Sequence, residues 1–494
     1  MIKIAQIVQN TRLSLALNLN SWLNNNGFKS TYYHGQVKSN NKNFIYLDTP
    51  KILNKIIRKI YLKYKKLGIA NFSFYRNGIG NSNISKIINS SDIVHIHWIN
   101  NFLSLDNIKY LSLNKPIVIT VHDYHLLYGG CHYLEGCKNY LDDCKNCPQI
   151  SGSINDIAHV NFLQKKNIFQ SKQIYFVHQN NNSYIEGKKI YPKNHHEVID
   201  CTVDIDLFYP LQNINELKKK FKIPSNKKIL LSLCSYNCNS KQVESYNILK
   251  KNLDSNTFLI LVGEGFSSFS NIKNQVLNLG HIESKFILNQ LYNISDIVFT
   301  LSNEETVPGI ACEALSSGTP FVAYKAVGNV EKMILDEFNG FKIKNKSVKD
   351  YALNLNKLHF LTKKEDIRKD YIERFHSSFY EKYEKLYKKI NQNFLSKNSD
   401  KKEIENSNNI EIKAKNFDKI LDNYLTEELD YYENMQKPII KRSIYIVVNF
   451  KYFLKQKLLE LLLFLKSNLL FNYLWKRIFG NRIKNLLKKL SNKI

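Results

Sequence analysis

The sequence predicts two α/β domains, each built on a parallel sheet, followed by a helical extension at the C-terminus. Apolar runs of strand length alternate with segments of helix length, and this series occurs twice along the chain. Strands that alternate with helices favour parallel sheets, because each crossover helix brings the chain back to the same end of the sheet. The 494 residues are enough for two or three domains, since single hydrophobic cores stop growing at about 250–300 residues.

The first predicted domain covers residues 1–205 and the second covers residues 206–390. A helix over 13–25 opens the first domain, and a Phe- and Tyr-rich helix over 371–390 is expected to end the second. The strands are expected at 2–8, 93–96, 117–121, 174–177 and 198–200, and then at 229–233, 258–262, 297–300 and 321–323. Ligands of parallel sheets bind beyond the carboxyl ends of the strands. In two such Rossmann-like halves, those ends are expected to face each other across a cleft.

The composition changes after residue 390. Residues 391–415 are polar without apolar periodicity and are predicted to be a linker. Residues 416–494 are predicted to form a basic amphipathic helical tail, whose last part, 441–494, carries thirteen Lys or Arg against Glu460, a formal charge of +12 (13 − 1). The longest uncharged run, 467–475, is shorter than the roughly 20 apolar residues that span a bilayer.

The tail is therefore expected to lie on an anionic membrane surface rather than to cross it. The alternative is a helix that packs against its own protein or against a second copy. The N-terminus enters an apolar strand without a basic leader or a cleavage site, so the protein is expected to be cytoplasmic and peripheral on the inner face of the cell membrane.

The formal charge of the whole chain is +28, which by itself would suit nucleic acid or an anionic membrane. The chain is rich in Asn, Ile and Lys, the residues of A/T-rich codons, so the charge is weak evidence of function. No arginine lies between Arg76 and Arg368, whereas readers of nucleic acid rely on arginine for bidentate contacts. We therefore expect no nucleic-acid partner.

Two carboxylates eight positions apart, in Glu305-Thr-Val-Pro-Gly-Ile-Ala-Cys-Glu313, indicate a nucleotide-sugar site. A helix is expected to open near Pro308, and the unpaired N–H groups of its first turn form an anion site suited to a diphosphate. Glu313 would accept hydrogen bonds from the ribose hydroxyls. The expected donor-binding set is Glu313, Thr306, Val307 and Gly309. The alternative is that two surface glutamates flank a buried βα unit.

Three stretches of sequence carry a resemblance to a known enzyme family. They are Asp92-Ile-Val-His-Ile-His97-Trp98, then Thr120-Val-His122-Asp123-Tyr124 running into Gly129-Gly130-Cys131-His132-Tyr133, and the block from Glu305 to Glu313. Supporting pieces are Leu261-Val-Gly263-Glu-Gly265, Gly280-His281, Val203-Asp204 with Phe208, and Asn339-Gly340. In this order the chain resembles the retaining family 4 glycosyltransferases of the GT-B fold, in particular those that build bacterial surface polysaccharides of the colanic-acid, capsule and O-antigen type.

The resemblance implies the roles of the catalytic residues. Glu305 would contact hydroxyls of the transferred sugar, Lys241 would neutralise the diphosphate, and His122 would line the other side of the cleft. The family's arginine before that lysine has no counterpart, because Ser235 and Tyr236 stand there. From the residues alone, Lys241 could equally be a solvated lysine, and His122 a satisfied histidine at a strand end.

The resemblance further implies a UDP- or GDP-linked donor, retention of anomeric configuration, no catalytic metal and a glycan acceptor, expected to be lipid-linked. The first loop lacks the glycine pair that is common in the family, although Arg12 could supply a cation there. Two alternatives stay open. One is a catalytically degenerate GT-B protein that acts as a membrane-associated assembly partner, and the other is a sugar-nucleotide epimerase on the same fold.

Four of the eight cysteines, Cys131, Cys137, Cys144 and Cys147, lie within seventeen residues. Thiols grouped this closely, with a Cys-x-x-Cys pair, indicate a structural tetrahedral zinc site. The spacings differ from those of a usual zinc ribbon, and His132 is a competing ligand. Buried thiols or a redox pair are the alternatives.

Overall fold

The structure is a computed structural model, and it describes most of the chain up to residue 402. The described residues are 1–9, 13–35, 44–49, 72–75, 78–100, 102–150, 156–234, 240–266, 269–272, 275–325, 328–344 and 347–402. Residues 1–401 form one compact unit. The tail predicted over 416–494 lies outside the described residues.

The first lobe contains a seven-stranded parallel sheet with strand order β3-β2-β1-β4-β5-β6-β7. Its strands are β1 (Lys3–Val8), β2 (Lys29–His34), β3 (Phe44–Tyr46), β4 (Ile93–Ile96), β5 (Ile117–Val121), β6 (Ile174–His178) and β7 (His195–Val198). The central strands β4 and β5 are buried along their whole length. They are continuous β-branched runs because helices cover both faces of such a sheet.

Five helices of the described residues surround this sheet. They are α1 (Ser14–Asn25), α2 (Asn81–Ser90), α3 (Leu105–Asn114), α4 (Ile157–Phe169) and α5 (Asn181–Ile190). Local sequence explains two of their starts. Ser104 and Asn107 form a reciprocal capping box at α3, and Asn180 caps α5 by accepting from the Ser183 amide.

The second lobe contains a six-stranded parallel sheet with strand order β10-β9-β8-β11-β12-β13. Its strands are β8 (Lys228–Leu233), β9 (Thr257–Val262), β10 (Val276–Asn278), β11 (Ile297–Phe299), β12 (Phe321–Tyr324) and β13 (Gly340–Ile343). Its helices are α6 (Ile214–Lys220), α7 (Ser240–Asn252), α8 (Lys285–Ile294), α9 (Gly309–Ser316), α10 (Val330–Met333), α11 (Val348–Lys357) and α12 (Lys364–Tyr371). The architecture confirms the predicted fold class of two Rossmann-like parallel-sheet lobes.

The last described helix, α13 (Phe379–Lys402), corrects one expectation from the sequence. The segment 371–390 was expected to end the second lobe, but Tyr383 and Tyr387 pack into a core cluster of the first lobe. The helix also runs to Lys402, so residues 391–402 are helical where a linker was predicted. The aromatic period predicted the helix, whereas nothing in a period tells which lobe it packs on.

The sequence pattern missed four short strands and displaced one. The missed strands are β2, β3, β10 and β13, of which β2 is rich in Ser, Thr and Tyr and β3 and β10 have three residues each. The strand expected at 198–200 is β7, which lies a few residues earlier and begins with two histidines. Within the described part of the chain, no helix combines the length and hydrophobicity that crossing a bilayer requires.

Candidate active site between the two lobes

The loops that follow β5 and β11 meet across the crevice between the lobes. The Thr306 hydroxyl donates to the backbone carbonyl of His122 at 2.6 Å. The Asn180 side-chain amide, from the start of α5, donates to the Thr306 carbonyl at 3.0 Å. Both loops lie at the carboxyl ends of their strands, the edge at which parallel sheets bind ligands. The structure thus brings the predicted His122 and Thr306 together.

A loop of the first lobe also reaches the two acidic residues that follow β11. The backbone amides of Leu134 and Glu135 donate to the two carboxylate oxygens of Glu304 at 2.7 and 2.6 Å. The Tyr133 hydroxyl donates to Glu305 at 3.4 Å. We call the segment 133–135 the clasp, because it joins the lobes beside Glu305. The sequence did not predict a role for Glu304, and no residue pattern marked it.

Glu305 lies partly buried beside the clasp. The pKa of its carboxyl is raised to about 7, mainly by burial and also by the neighbouring carboxylate of Glu304, while hydrogen bonds from Ser302 and Tyr133 oppose the shift. The ionised carboxylate is therefore poorly compensated in this arrangement. Such a group gains when polar hydrogens are placed against it, and sugar hydroxyls can provide them.

Glu313 differs from Glu305 because it already has two partners. It is 8 % exposed, and its carboxylate accepts from Lys285 Nζ at 2.8 Å and from the Tyr292 hydroxyl at 2.7 Å. Both partners belong to α8, which packs beside α9. No pattern in the sequence indicated Lys285 or Tyr292 at this site.

Helix α9 begins as the proline in the motif indicated. Pro308 is its N-cap, and Gly309 is the first helical residue. A side chain placed on Gly309 would meet no atom within 4 Å, so the space before this helix end is open. Val307 packs against the core of the second lobe. Gly328, at φ +53°, leaves no room for a Cβ, which would lie 2.2 Å from the Glu305 carbonyl oxygen; the backbone of the acidic loop is thereby held close.

On the side of the first lobe, His122 ends a buried chain of polar side chains. His97 Nδ1 lies 3.1 Å from His122 Nε2, and His97 Nε2 lies 2.7 Å from the Gln6 side-chain oxygen. The Gln6 amide nitrogen in turn faces the Tyr387 hydroxyl of α13 at 3.5 Å. This row of hydrogen-bonded side chains links Tyr387 of α13 to His122 at the crevice.

This chain determines which nitrogens carry protons. Burial lowers the pKa of His97 well below its usual value and that of His122 to about 4, so both rings are neutral near pH 7. The amide oxygen of Gln6 only accepts, so His97 carries its proton on Nε2 and its Nδ1 accepts from His122 Nε2. His122 Nδ1 is then an acceptor. Gln179 forms a further hydrogen bond to this ring.

Asp123 anchors the same loop through its hydrogen bonds. It accepts from the His132 ring at 2.8 Å, from the Trp98 indole at 3.1 Å, and from both the ring and the backbone amide of His125. Burial would raise the pKa of Asp123, but the two imidazoles and their hydrogen bonds outweigh it and hold the pKa well below its usual value. The loop that carries His122 is therefore rigidly anchored.

The side chains of the two predicted cations, Lys241 and Arg12, lie outside the described residues. The backbone of Lys241 lies in the first turn of α7, after β8. The roles of Lys241 and Arg12 stay predictions.

The four clustered cysteines do converge on one place. Cys131, Cys137, Cys144 and Cys147 all line a single cavity of about 20 Å³ in the first lobe. No three of their sulphurs lie within 4.8 Å of one another; among the described residues, the one group of potential ligands that meets this distance is Asp123, His125 and His132. That group is hydrogen-bonded internally, as described above.

The second lobe matches a known family. Residues 213–375 match the family model described as "Glycosyl transferases group 1". This part of the chain is similar to glycosyltransferase group 1 domains. The match includes α9 with Glu305 and Glu313, the start of α7 with Lys241, and Lys285 with Tyr292. A comparison with curated proteins gives no matching relative.

Solved structures extend the likeness of the group 1 domain to both lobes. A sucrose-phosphate synthase from Thermosynechococcus elongatus is 14% identical with a TM-score of 0.58, and covers 79% of this chain and 99% of its own. HepE from Anabaena, solved in complex with UDP, is 13% identical with a TM-score of 0.50, and the match covers 81% of this chain and 100% of HepE. WaaG, a glycosyltransferase involved in lipopolysaccharide biosynthesis, is 13% identical with a TM-score of 0.51, and the match covers 79% of this chain and 99% of WaaG. At these identities the likeness shows the GT-B fold.

Proposed function

We propose that the protein is a retaining glycosyltransferase that moves a sugar from a nucleotide-sugar donor to a glycan acceptor. One observation carries the proposal: the loop of the group 1 domain that bears Glu305 and Thr306 meets the His122 loop of the first lobe in the interlobe crevice. A transferase needs its donor-binding and acceptor-binding groups on opposite walls of such a crevice, because the two substrates react there with water excluded.

The residues divide the donor between them. The open N-terminus of α9 receives the diphosphate, with Lys241 as the added cation. Glu313 takes the ribose hydroxyls, exchanging the hydrogen bonds that it now receives from Lys285 and Tyr292. Glu305 accepts from hydroxyls of the transferred sugar, and the His122 ring lines the opposite wall near that sugar.

Stabilisation of the departing diphosphate is the main catalytic contribution. Groups preorganised around developing charge are the largest catalytic factor in many enzymes. A nucleoside diphosphate leaves once its charge is neutralised, so no protonating acid is required, unlike the paired carboxylates of a glycoside hydrolase. We also propose that the anomeric configuration of the donor is retained. Comparison of the anomeric configuration of the new linkage in the product with that of the donor tests this.

For the donor we propose a UDP-linked sugar, with a GDP-linked sugar as the alternative, and for the acceptor a lipid-linked oligosaccharide of a bacterial surface polysaccharide. The solved complex of HepE with UDP supports the choice of donor, and the involvement of WaaG in lipopolysaccharide biosynthesis supports the choice of acceptor. A thermal-shift screen against UDP-, GDP- and ADP-sugars identifies the base, because a bound ligand stabilises the folded state by mass action.

The decisive experiment measures release of nucleoside diphosphate together with glycosylated acceptor. We expect both in equal amounts from the wild type, and a loss on the order of 100-fold or more in Glu305→Ala. Glu381→Ala, a change at an exposed glutamate of α13, is the matched control and should keep full activity. Donor binding without any release would favour a degenerate assembly partner, and an altered sugar nucleotide without acceptor would favour an epimerase.

We also propose that residues 441–494 hold the enzyme on the inner face of the cell membrane. Their formal charge of +12 supports this, since each cation near an anionic surface contributes about 1 kcal/mol. A protein that lacks 441–494 should remain in solution when anionic liposomes are pelleted, and should still bind the donor. Unchanged pelleting would contradict the proposal.

A further inference from the structure

The loop between β5 and α4 has little regular structure to order it. Residues 129–150 are all described, and they contain one short turn of 3-10 helix, Asn139–Asp142. Four non-glycine residues of this loop take positive φ angles: Glu135, Asp143, Cys144 and Asn146. Long loops without strands or helices are uncommon in compact domains and are usually functional. Strained conformations of this kind persist where other contacts over-determine them.

The same loop carries the four clustered cysteines, which line one cavity. Cys131, Cys144 and Cys147 are 7–8 % exposed, and Cys137 is half-buried. Apart from the cysteines, the lining consists mainly of apolar and aromatic side chains such as Phe72 and Leu134. The volume of about 20 Å³ fits one water-sized body, so it suits a single ion and is too small for an iron–sulfur cluster.

We propose that Cys131, Cys137, Cys144 and Cys147 bind one structural zinc ion in this cavity. Zinc in structural sites is tetrahedral and takes four thiolates at about 2.3 Å. Binding replaces the four thiol protons, which leave to solvent, by four Zn–S bonds. The sulphurs are more widely spaced than such a site requires, so ligation draws the cysteine side chains inward around the ion.

Backbone amides already point at two of the sulphurs. The Asn139 amide donates to Cys137 Sγ at 3.4 Å, and the Gly129 backbone hydrogen-bonds to Cys144. Such outer hydrogen bonds orient metal ligands and favour the thiolate form. Two amides directed at sulphur are therefore an arrangement that suits ligation.

A buried lysine can supply part of the positive charge that the site requires. Zinc with four thiolates carries a net charge of −2, which is costly to bury without a compensating cation. Lys165 of α4 is fully buried, its amine donates to the carbonyls of His125 and Tyr128, and Cys131 and Cys144 are among its electrostatic partners. The cation thus faces two of the proposed ligands.

Asp123, His125 and His132 are the competing set, and their contacts argue against a metal there. Both imidazoles already hydrogen-bond through Nδ1 to the Asp123 carboxylate, so a metal would have to displace those protons. His132 Nε2 is engaged by Ser73 at 3.0 Å.

The site would order the clasp. Residues 133–135 lie between Cys131 and Cys137, so two of the ligands flank the segment that contacts Glu304 and Glu305. A metal that fixes both flanks holds the clasp against the second lobe. The zinc proposal itself rests on the cavity and its surroundings, and it stands or falls independently of the transferase proposal.

The test is metal analysis of the full chain, purified without a metal-affinity tag. We expect about one zinc per chain, released as four thiols are titrated with a mercurial reagent and detected with a chromogenic chelator. The double variant Cys144→Ser/Cys147→Ser should lose the metal. Cys201→Ser, a cysteine outside the cluster, is the matched control and should retain it.

Three results would overturn the proposal: wild-type protein near zero zinc with its cluster thiols freely reactive, iron in place of zinc, or full zinc content in the double variant. If the double variant does not fold, two measurements decide. One is the mercurial titration of the wild type, and the other is the zinc content of the single variant Cys137→Ser, at the least buried position, which should be reduced.

Discussion

The two walls of the crevice are prepared in different ways. On the first lobe, Asp123 and His97 hold the His122 loop through a buried hydrogen-bond network, and the imidazole rings of His97 and His122 are both neutral. On the second lobe, Glu305 is held at a raised pKa with the Tyr133 hydroxyl as its contact across the crevice. One wall is complete without a substrate, whereas the other becomes fully compensated only when hydroxyl groups arrive.

The difference fits the proposed function, in which the two lobes have different roles. Under that proposal, neutral, oriented groups on the first lobe position the sugar without attracting or repelling the acidic diphosphate. The second lobe would bind the diphosphate at the start of α9 and the hydroxyl groups at two carboxylates. Strongly shifted ionisable groups gather at functional sites for this reason.

The largest expected effect concerns Glu305 and pH. Because its folded-state pKa of about 7 lies above the ordinary 4.5, the protonated carboxyl stabilises the fold fully below about pH 4.5, and this contribution is lost as pH rises through about 7. Relative to Glu305→Gln, whose side chain does not titrate, the wild type should lose up to about 3 kcal/mol of unfolding free energy between about pH 4.5 and about pH 8. Solvent that reaches the carboxyl reduces this value.

Chemical denaturation of both proteins across this pH range provides the measurement. Other titrating groups cancel in the difference between the two proteins. A difference that does not change with pH would show that Glu305 is ordinarily solvated, and the contrast between the two walls would then be lost.

A smaller effect is expected from the first lobe. His97→Phe leaves the Gln6 oxygen and the His122 N–H buried without their partner, at a cost of about 2 kcal/mol or more in unfolding free energy. The exposed His359 of the second lobe is the matched control, and His359→Phe should be neutral within about 0.5 kcal/mol. Equal stability of the two variants in denaturation would mean that the histidine chain is not an anchor.

The sequence was sufficient for what depends on pattern. Short apolar runs predicted strands such as β4 and β5 to the residue, and the proline in the acidic motif predicted the start of α9. The Phe- and Tyr-rich segment predicted the helix around Tyr383. Each of these follows from a local period or from the conformational preference of one residue type.

What the sequence missed depends on long-range packing. The partners of Glu313 come from α8, and the amides that bind Glu304 come from a loop about 170 residues away in the chain. The attachment of α13 to the first lobe rests on tyrosine hydroxyls that reach Thr120 and His95. No local period encodes such contacts, and β2 escaped notice because its residues are largely polar.

The most direct test of the proposed donor site compares the affinities for a nucleotide sugar and for the same nucleotide without its sugar. We propose that Glu313 lies at the ribose and Glu305 at the transferred sugar. Calorimetric titration should therefore show that Glu313→Gln weakens both ligands about tenfold. Glu305→Gln should weaken the nucleotide sugar alone and leave nucleoside diphosphate binding unchanged. Equal losses for both ligands in Glu305→Gln, or none for either, would contradict the account.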